Sequence, residues 1–116
     1  MKQYTKTHEW VEVKDGVACV GISAYAAEEL GEVVYVDLPE EGQSVTAGEP
    51  LCEIESVKAV AEVNSPVNGK VVKVNDALAD APETLNGDDE AWICAVEFDS
   101  LADDLMDEAT YKASLE

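Results

Sequence analysis

Short alternating runs separated by turn-forming residues constrain this chain most. Strand-like runs rich in apolar residues recur in HEWVEV, VACVGIS, LCEIES, AVAEV and GKVVKV, and alternation is clear in LCEIE, where Cys52 and Ile54 would share one face. Alternation with a period of two is typical of half-buried strands, and the glycine, proline, asparagine and aspartate residues between most runs favour turns. The pattern therefore predicts a mainly β protein, a flattened barrel or sandwich hybrid of short strands with helical additions.

Local signals near the N-terminus predict a hairpin followed by a short helix. Lys14-Asp15-Gly16 separates two strand-like runs, and Gly16 can supply the positive φ of a tight hairpin turn. Ser23 then stands where a helix N-cap is expected, and Gly31 stands where the same helix would stop. We expect a single helical segment between these two residues.

The C-terminal part contains helical signals of its own. Ser100 with Asp103 fits a capping box before LADDLM. Tyr111 and Leu115 form an apolar pair at i, i+4. The sequence therefore predicts two short helices at the C-terminal end.

Two further stretches give specific expectations. EVVYVDLP alternates so that Val34, Val36 and Leu38 would share one strand face, and Pro39 would end the strand. Residues 76–90, DALADAPETLNGDDE, are acidic and rich in turn-forming residues, and we expect a surface loop there.

Composition excludes several classes of function. The chain has 26 acidic residues, 7 basic residues and a formal net charge of −19, so phosphate backbones and anionic membranes are unfavourable partners. No apolar run approaches the roughly 20 residues that cross a bilayer, and no secretory signal opens the chain. Cys19, Cys52 and Cys94 lack metal-ligand spacing, so we expect buried thiols, no metal and a reducing, intracellular compartment. The length of 116 residues predicts one domain spanning 1–116, and we expect a monomer.

Lys58 is a single cationic residue between two strand-like runs. LCEIE and AVAEV flank Ser56-Val57-Lys58, so the lysine is expected at a hairpin tip, where its amine would be exposed. A lysine amine on a long stem can be acylated. An ordinary solvated lysine would show the same local pattern, and turn geometry alone leaves both readings open.

Longer motifs around Lys58 resemble a known family. Gly42-x-x-Val45-x-x-Gly48-x-x-Leu51, then ESVKA at 55–59 and NSPVNGKVV at 64–72, resemble biotinyl/lipoyl carrier domains. HEW at 8–10, GIS before the short helix, LGEVVYVDLPEEG at 30–42 and ATYKASL at 109–115 resemble, more narrowly, the H-protein family of the glycine cleavage system. The resemblance runs from about residue 4 to the C-terminus.

The resemblance implies a lipoyl-domain-like fold and a carrier rather than an enzyme. Lipoic acid would be attached to Lys58 through an amide bond, and Glu55 would help the lipoate-attaching enzyme to recognise the turn. The carrier would take the aminomethyl group of glycine from glycine decarboxylase (P protein) to the aminomethyltransferase (T protein). Its dithiol would then be reoxidised by dihydrolipoyl dehydrogenase (L protein). The location would be the cytoplasm in a bacterium or the mitochondrial matrix in a eukaryote.

The resemblance also implies a cleft that shelters the loaded arm. A cationic amine there needs acidic or hydroxyl partners. The matching positions are Thr7, Glu9 and Glu62, with Leu30 and Ala59 as apolar walls. Glu62 stands where the family is expected to have an aspartate, which lengthens the side chain by one methylene.

Other functions remain as alternatives. An H-like paralogue in another lipoate-dependent pathway would share the modification, whereas an unmodified interaction module of the same fold would lack it. A biotin carrier is disfavoured because Val57 and Ala59, rather than methionines, flank the lysine. An enzyme is disfavoured because the sole histidine, His8, neighbours no nucleophile.

Overall fold

The computed structural model describes residues 2–87, 92–101 and 105–115. Within these ranges the strands are β1 (Lys2–Tyr4), β2 (Glu9–Lys14), β3 (Val17–Ile22), β4 (Val33–Asp37), β5 (Ser44–Val45), β6 (Pro50–Ser56), β7 (Val60–Asn64), β8 (Val67–Val74), β9 (Trp92–Leu101) and β10 (Met106–Asp107). The helices are α1 (Ala24–Leu30), α2 (Ala77–Asp80), α3 (Thr84–Gly87) and α4 (Glu108–Ser114).

Two antiparallel sheets form the framework. One has the order β10-β1-β2-β3-β9-β8-β5, and the other has the order β4-β6-β7. Val11 and Val20 from the first sheet and Ile54 and Val63 from the second belong to one buried cluster, so the core lies between the sheets. This mainly β architecture, with a short helix after the hairpin and a helix at the C-terminal end, agrees with the expected fold class.

The N-terminal hairpin and helix follow the predicted signals. β2 and β3 pair from Glu9↔Ile22 to Lys14↔Val17, and Asp15 and Gly16 both have positive φ, 53° and 80°. Two such residues in sequence make the turn that matches the right-handed strand twist. The Ser23 side chain accepts the Ala26 N–H at the start of α1, and Gly31 ends the helix with φ 77°.

Strand β4 departs from the expected alternation. Val33 and Val36 are buried, whereas Val34 and Tyr35 are exposed, so the prediction that Val34 shares a face with Val36 is wrong. The cause is an irregularity in the pairing with β6 between Val33 and Tyr35. A bulge adds one residue to a strand and moves the following side chains to the opposite face. Val36 keeps its inward position.

The acidic stretch after β8 is not a simple surface loop. It forms α2 and α3, and the side chains of Leu78 and Leu85 are buried in the core. These two leucines are seven residues apart in an otherwise acidic segment. Their burial removes apolar surface from water and so stabilises the packing of the segment against the core. The last part of the predicted loop, 88–90, lies outside the described residues.

The predicted capping box at the C-terminal end is also wrong. Ser100 lies in β9, and Met106 lies in β10, so no helix begins at Ser100. Asp103 lies outside the described residues. Asp107 is the N-cap of α4 instead, and its side chain accepts the Thr110 N–H at 2.7 Å. The described part of the chain contains no helix long and apolar enough to cross a membrane.

Candidate functional site

The tip between β6 and β7 is a short turn closed by the Ser56 side chain. The Ser56 hydroxyl donates to the Ala59 carbonyl at 3.1 Å, and its oxygen accepts the N–H groups of Lys58 at 3.4 Å and Ala59 at 3.1 Å. The Ser56 N–H also donates to the Ala59 carbonyl at 2.8 Å. Lys58 is exposed at this tip, as its position between the two strand-like runs predicted.

The same tip is fastened to the end of α1. The Val57 N–H donates to the Glu32 carbonyl at 3.0 Å. The Lys58 stem passes over Gly31, where an added Cβ would lie 2.9 Å from Lys58 Cε. Glycine is favoured at Gly31 by its positive φ, whereas the exposed Lys58 side chain could move away from an added Cβ. Among the described residues, the Lys58 ammonium has no carboxylate partner.

A cleft of about 360 Å³ lies beside α1. Its lining comes from the start of β2, the end of β3, one side of α1, and strands β6 and β7: Thr7, His8, Glu9, Ile22, Tyr25, Ala26, Glu29, Leu30, Ile54, Ala61, Glu62 and Val63. Leu30 precedes Gly31, on which the Lys58 stem rests. The cleft and the lysine therefore share the C-terminal end of α1 as a common border.

Glu9 is a buried carboxylate in the wall of this cleft. Its side chain is 2% exposed. Its Oε1 accepts the Thr5 hydroxyl at 2.6 Å and also the Thr7 hydroxyl, and the carboxylate receives the backbone N–H of Asn64. Burial raises the pKa of Glu9 above its usual range, and the hydrogen bonds from Thr5, Thr7 and Asn64 oppose that rise.

The predicted cleft residues fall into two groups. Thr7, Glu9, Leu30 and Glu62 line the cleft, whereas Ala59 lies exposed at the hairpin tip and is not part of the lining. Glu62 pairs with Glu53 across the strands, so its carboxylate shares the solvent-facing side of the sheet with that residue. Glu62 therefore lines the cleft from the exposed side of β7.

Glu55, predicted to help in recognition of the turn, lies on β6 three residues before the lysine. It is exposed, and its cross-strand neighbours are Tyr35 and Val60, two exposed apolar residues. The surface beside the tip is therefore part acidic and part apolar. The role of Glu55 in recognition of the turn stays a prediction.

Several residues of the site were not predicted. Thr5, outside the cleft lining, donates to Glu9, and Tyr25 and Glu29 line the cleft one helical turn apart on α1. A hydrogen bond to Glu29 raises the pKa of Tyr25, and the His8 ring lies 4.7 Å from the Tyr25 ring. The spacing T-x-T-x-E at 5–9 and the i, i+4 pair on α1 were the available signals.

Helix α4 holds the cleft wall in position from outside. The Tyr111 hydroxyl lies 2.7 Å from both Ser23 Oγ and His8 Nδ1, and the Tyr111 ring stacks on Tyr4 at 4.5 Å. Tyr111 is buried, at 3% exposure. One tyrosine thus joins the start of α1, the residue before β2 and strand β1.

Comparisons with known proteins agree with the motifs around Lys58. The family model described as "Glycine cleavage H-protein" matches residues 2–116. A "Glycine cleavage system H protein" of Thermotoga maritima is 51% identical over 116 residues, which cover 97% of this chain and 94% of that protein. A "Probable glycine cleavage system H protein" of Pyrococcus furiosus is 51% identical over 115 residues, covering 97% of this chain and 86% of that protein.

A solved structure gives the same result for the fold. The crystal structure of a glycine cleavage system H protein from Mycobacterium marinum superposes with a TM-score of 0.93 at 35% sequence identity. The match covers 98% of this chain and 95% of that one. The agreement therefore extends over the hairpin tip, the cleft and both sheets.

Proposed function

The chain belongs to the glycine cleavage H-protein family, and on that basis we propose that it is a lipoyl carrier with Lys58 as the attachment residue. It is a carrier component and not a catalyst. The observation that supports Lys58 most directly is its exposed amine, without a carboxylate partner in the described residues, on a tip fastened beside a cleft. An amine in this state is open to acylation.

The residues around Lys58 fit a lipoyl group. The tip is closed by Ser56 and tied to Glu32, so the base of a long arm would be fixed while the arm itself moves. Lipoate, once joined to the lysine by an amide bond, supplies a disulfide that can accept the aminomethyl group of glycine. The cleft begins at Leu30, next to the glycine on which the lysine stem rests, so the arm can reach it.

Within the cleft, the side chains of this chain have two functions. Glu9 provides a negative charge for a cationic amine, and hydrogen bonds between oppositely charged groups are the strong ones. Ile22, Leu30 and Ile54 provide apolar walls that exclude water. Exclusion of water slows the loss of ammonia and formaldehyde from an aminomethyl group held there.

Membership of the glycine cleavage system supports glycine decarboxylase, the aminomethyltransferase and dihydrolipoyl dehydrogenase as partners, together with a lipoate-attaching enzyme. The formal net charge of −19 favours docking on basic patches of these proteins. The bacterial and archaeal relatives support a cytoplasmic location.

The test combines mass spectrometry with one matched pair of variants. Native protein is digested and mapped, and a lipoyl mass increment is expected on the peptide containing Lys58. Lys58→Arg retains the charge but removes the acylatable amine, so it should carry no increment and should abolish glycine–bicarbonate exchange with the decarboxylase. Lys14→Arg, beside the β2–β3 turn, is the control and should be lipoylated and active. Exchange activity in Lys58→Arg would contradict the proposal.

A further inference from the structure

We propose that Thr5 is a positioning residue: its hydroxyl can act only as a donor, its shortest contact is with Glu9, and that donation fixes Glu9 as an anionic acceptor at the cleft wall. Thr5 lies outside the cleft lining, and its role in sheltering a loaded arm rests on the function proposed above. The hydrogen bonds of Thr5 determine where its hydroxyl proton lies.

The acceptor capacity of the Thr5 hydroxyl is already occupied. Its oxygen accepts the backbone N–H of Glu9 at 3.1 Å and that of Thr7 at 3.3 Å. A hydroxyl has two lone pairs and one proton. With both lone pairs engaged, Thr5 can act toward other groups only as a donor.

Both available recipients lead to the same carboxylate oxygen. The Thr5 hydroxyl lies 2.6 Å from Glu9 Oε1 and 3.1 Å from Thr7 Oγ1, and the Thr7 hydroxyl itself donates to Glu9 Oε1. The shorter contact is the one with the carboxylate. Oε1 is therefore surrounded by donors, and a proton on Oε1 would face a hydroxyl that cannot turn around to accept it.

The turn between β1 and β2 makes this arrangement rigid. The Thr5 N–H donates to the Glu9 carbonyl at 2.9 Å, and the His8 N–H donates to the Thr5 carbonyl at 3.1 Å. His8 has φ 75°, an uncommon value for a residue with a side chain. Thr5 is 7% exposed, so its hydroxyl is largely shielded from bulk water.

The energetic consequence concerns the charge on Glu9. A carboxylate that is 2% exposed loses most of its hydration, which favours the neutral acid. A fixed donor favours the anion and opposes this effect, in agreement with the direction in which Thr5 acts on the pKa of Glu9. Without the Thr5 hydroxyl, Glu9 would bind a proton more readily, and the cleft would lose its negative charge at a higher pH than in the parent chain.

Other titratable groups also face Glu9, and any test of Thr5 must leave these side chains unchanged. Its own segment contributes Lys6 and His8. The elements packed against it contribute Tyr25 and Glu29 of α1, Cys52 of β6, Glu62 of β7 and Tyr111 of α4. A substitution at Thr5 changes none of these side chains.

The first measurement uses the full chain with an unmodified Lys58, so it does not depend on lipoate. The pKa of Glu9 is measured by following its carboxyl carbon by NMR against pH in the parent chain, in Thr5→Val and in Thr5→Ser. Thr46→Val is the control, because Thr46 is exposed. Thr5→Val keeps the shape and removes the donor, so the proton affinity of Glu9 should rise about ten- to a hundredfold. Thr5→Ser and Thr46→Val should titrate like the parent. An unchanged titration in folded Thr5→Val would overturn the inference.

If Thr5→Val fails to fold, Thr5→Ser decides instead. Serine retains the hydroxyl but frees its χ1 rotation, and amide-proton spectra check the fold. A serine variant whose Glu9 titrates like the parent, and whose hydroxyl proton exchanges slowly, supports a fixed donor. A serine variant whose hydroxyl proton exchanges at the rate of exposed serines contradicts it.

The second measurement uses the lipoylated, aminomethyl-loaded chain and follows ammonia release against pH. In Thr5→Val the pH at which release accelerates should move upward with the Glu9 titration, whereas Thr5→Ser should retain the parent profile. A shifted Glu9 titration with an unchanged release profile supports the role of Thr5 in holding the charge and removes Glu9 from the proposed sheltering of the amine. The two proposals can therefore fail separately.

Discussion

Removal of the Ser23 hydroxyl tests how the cleft wall is held. Ser23 Oγ accepts the Ala26 N–H at 3.1 Å as the N-cap of α1, and it lies 2.7 Å from the Tyr111 hydroxyl of α4. One oxygen therefore stabilises the start of the helix and joins it to a second helix. Ser23→Ala removes both bonds, whereas Tyr111→Phe removes the bonds of the tyrosine hydroxyl to Ser23 and His8 and leaves the cap intact.

The magnitudes follow from the number of bonds lost. An N-cap contributes about 1 kcal/mol, and a buried hydrogen bond between neutral groups contributes about 1 kcal/mol. Ser23→Ala should therefore lower the free energy of unfolding by about 2 kcal/mol, and Tyr111→Phe should also lower it by about 2 kcal/mol. The double variant should lose about 3 kcal/mol, because the shared Ser23–Tyr111 bond can be lost only once.

Urea unfolding followed by tryptophan fluorescence measures these differences. Trp10 is 2% exposed, so unfolding changes its surroundings strongly. A loss of 2 kcal/mol should lower the midpoint by about 1 M urea, for slopes of about 1–3 kcal/mol per M. Ser44→Ala is the control, because Ser44 is exposed on β5, and its effect should stay within about 0.5 kcal/mol.

The double variant provides the decisive comparison. If its loss equals the sum of the two single losses within about 0.5 kcal/mol, the hydroxyl pair contributes no shared energy and the proposed connection between α1 and α4 is refuted. If Ser44→Ala is as destabilising as Ser23→Ala, the effect does not arise from the cap. A coupling of about 1 kcal/mol would support the geometry described above.

Two further predictions concern the tip and the cysteines. Gly31→Ala should destabilise the fold by about 1–3 kcal/mol, because φ 77° and ψ −154° are accessible essentially to glycine alone. The new Cβ would lie 2.9 Å from Lys58 Cε, but this exposed side chain can move aside, so lipoylation of Lys58 should proceed at nearly the parent rate. Gly16→Ala, also at positive φ but with nothing within 4 Å, is the control, and slowing in Gly31→Ala alone would contradict the expected freedom of the lysine. Burial raises the pKa of Cys94 to about 12, so in the folded protein iodoacetamide should label the partly exposed Cys19 before Cys94. Peptide mass spectrometry gives the order, and earlier labelling of Cys94 would contradict its burial.

Periodicity and turn residues predicted most of the strands correctly, but local irregularities did not follow from them. The exposure of Val34 depends on a shift in pairing between β4 and β6, and a strand considered alone carries no information about its partner's register. Ser100 satisfied a capping pattern, yet it pairs with Asn68 in the sheet. Hydrogen bonds to a neighbouring strand outweighed the local helical preference at that position.

The site was predictable to the extent that it depends on order along the chain. Lys58 at the hairpin tip follows from the two strands that flank it. The position of Ala59 outside the cleft lining, close in sequence to Ala61 and Glu62 that line it, depends on cross-strand register, which only the folded sheet defines. Thr5, Thr7 and Glu9 alternate as in a strand, but the turn with positive φ at His8 is what brings all three oxygens together.

Burial of the Glu9 carboxylate lowers the stability of the folded state at the site. Its pKa in the folded chain is raised by burial, so the folded state binds a proton more readily than the unfolded chain does. At a pH above the folded pKa both states are ionised, and the full penalty of burying the charge is present; as the pH falls toward the ordinary value of 4.5, protonation removes it. A neutral residue of similar size would avoid the penalty, but it would offer no negative charge to a cationic amine. The hydrogen bond from Thr5 lowers the penalty without removing the charge, which is why a donor with a fixed direction suits this position better than a second carboxylate or an apolar side chain.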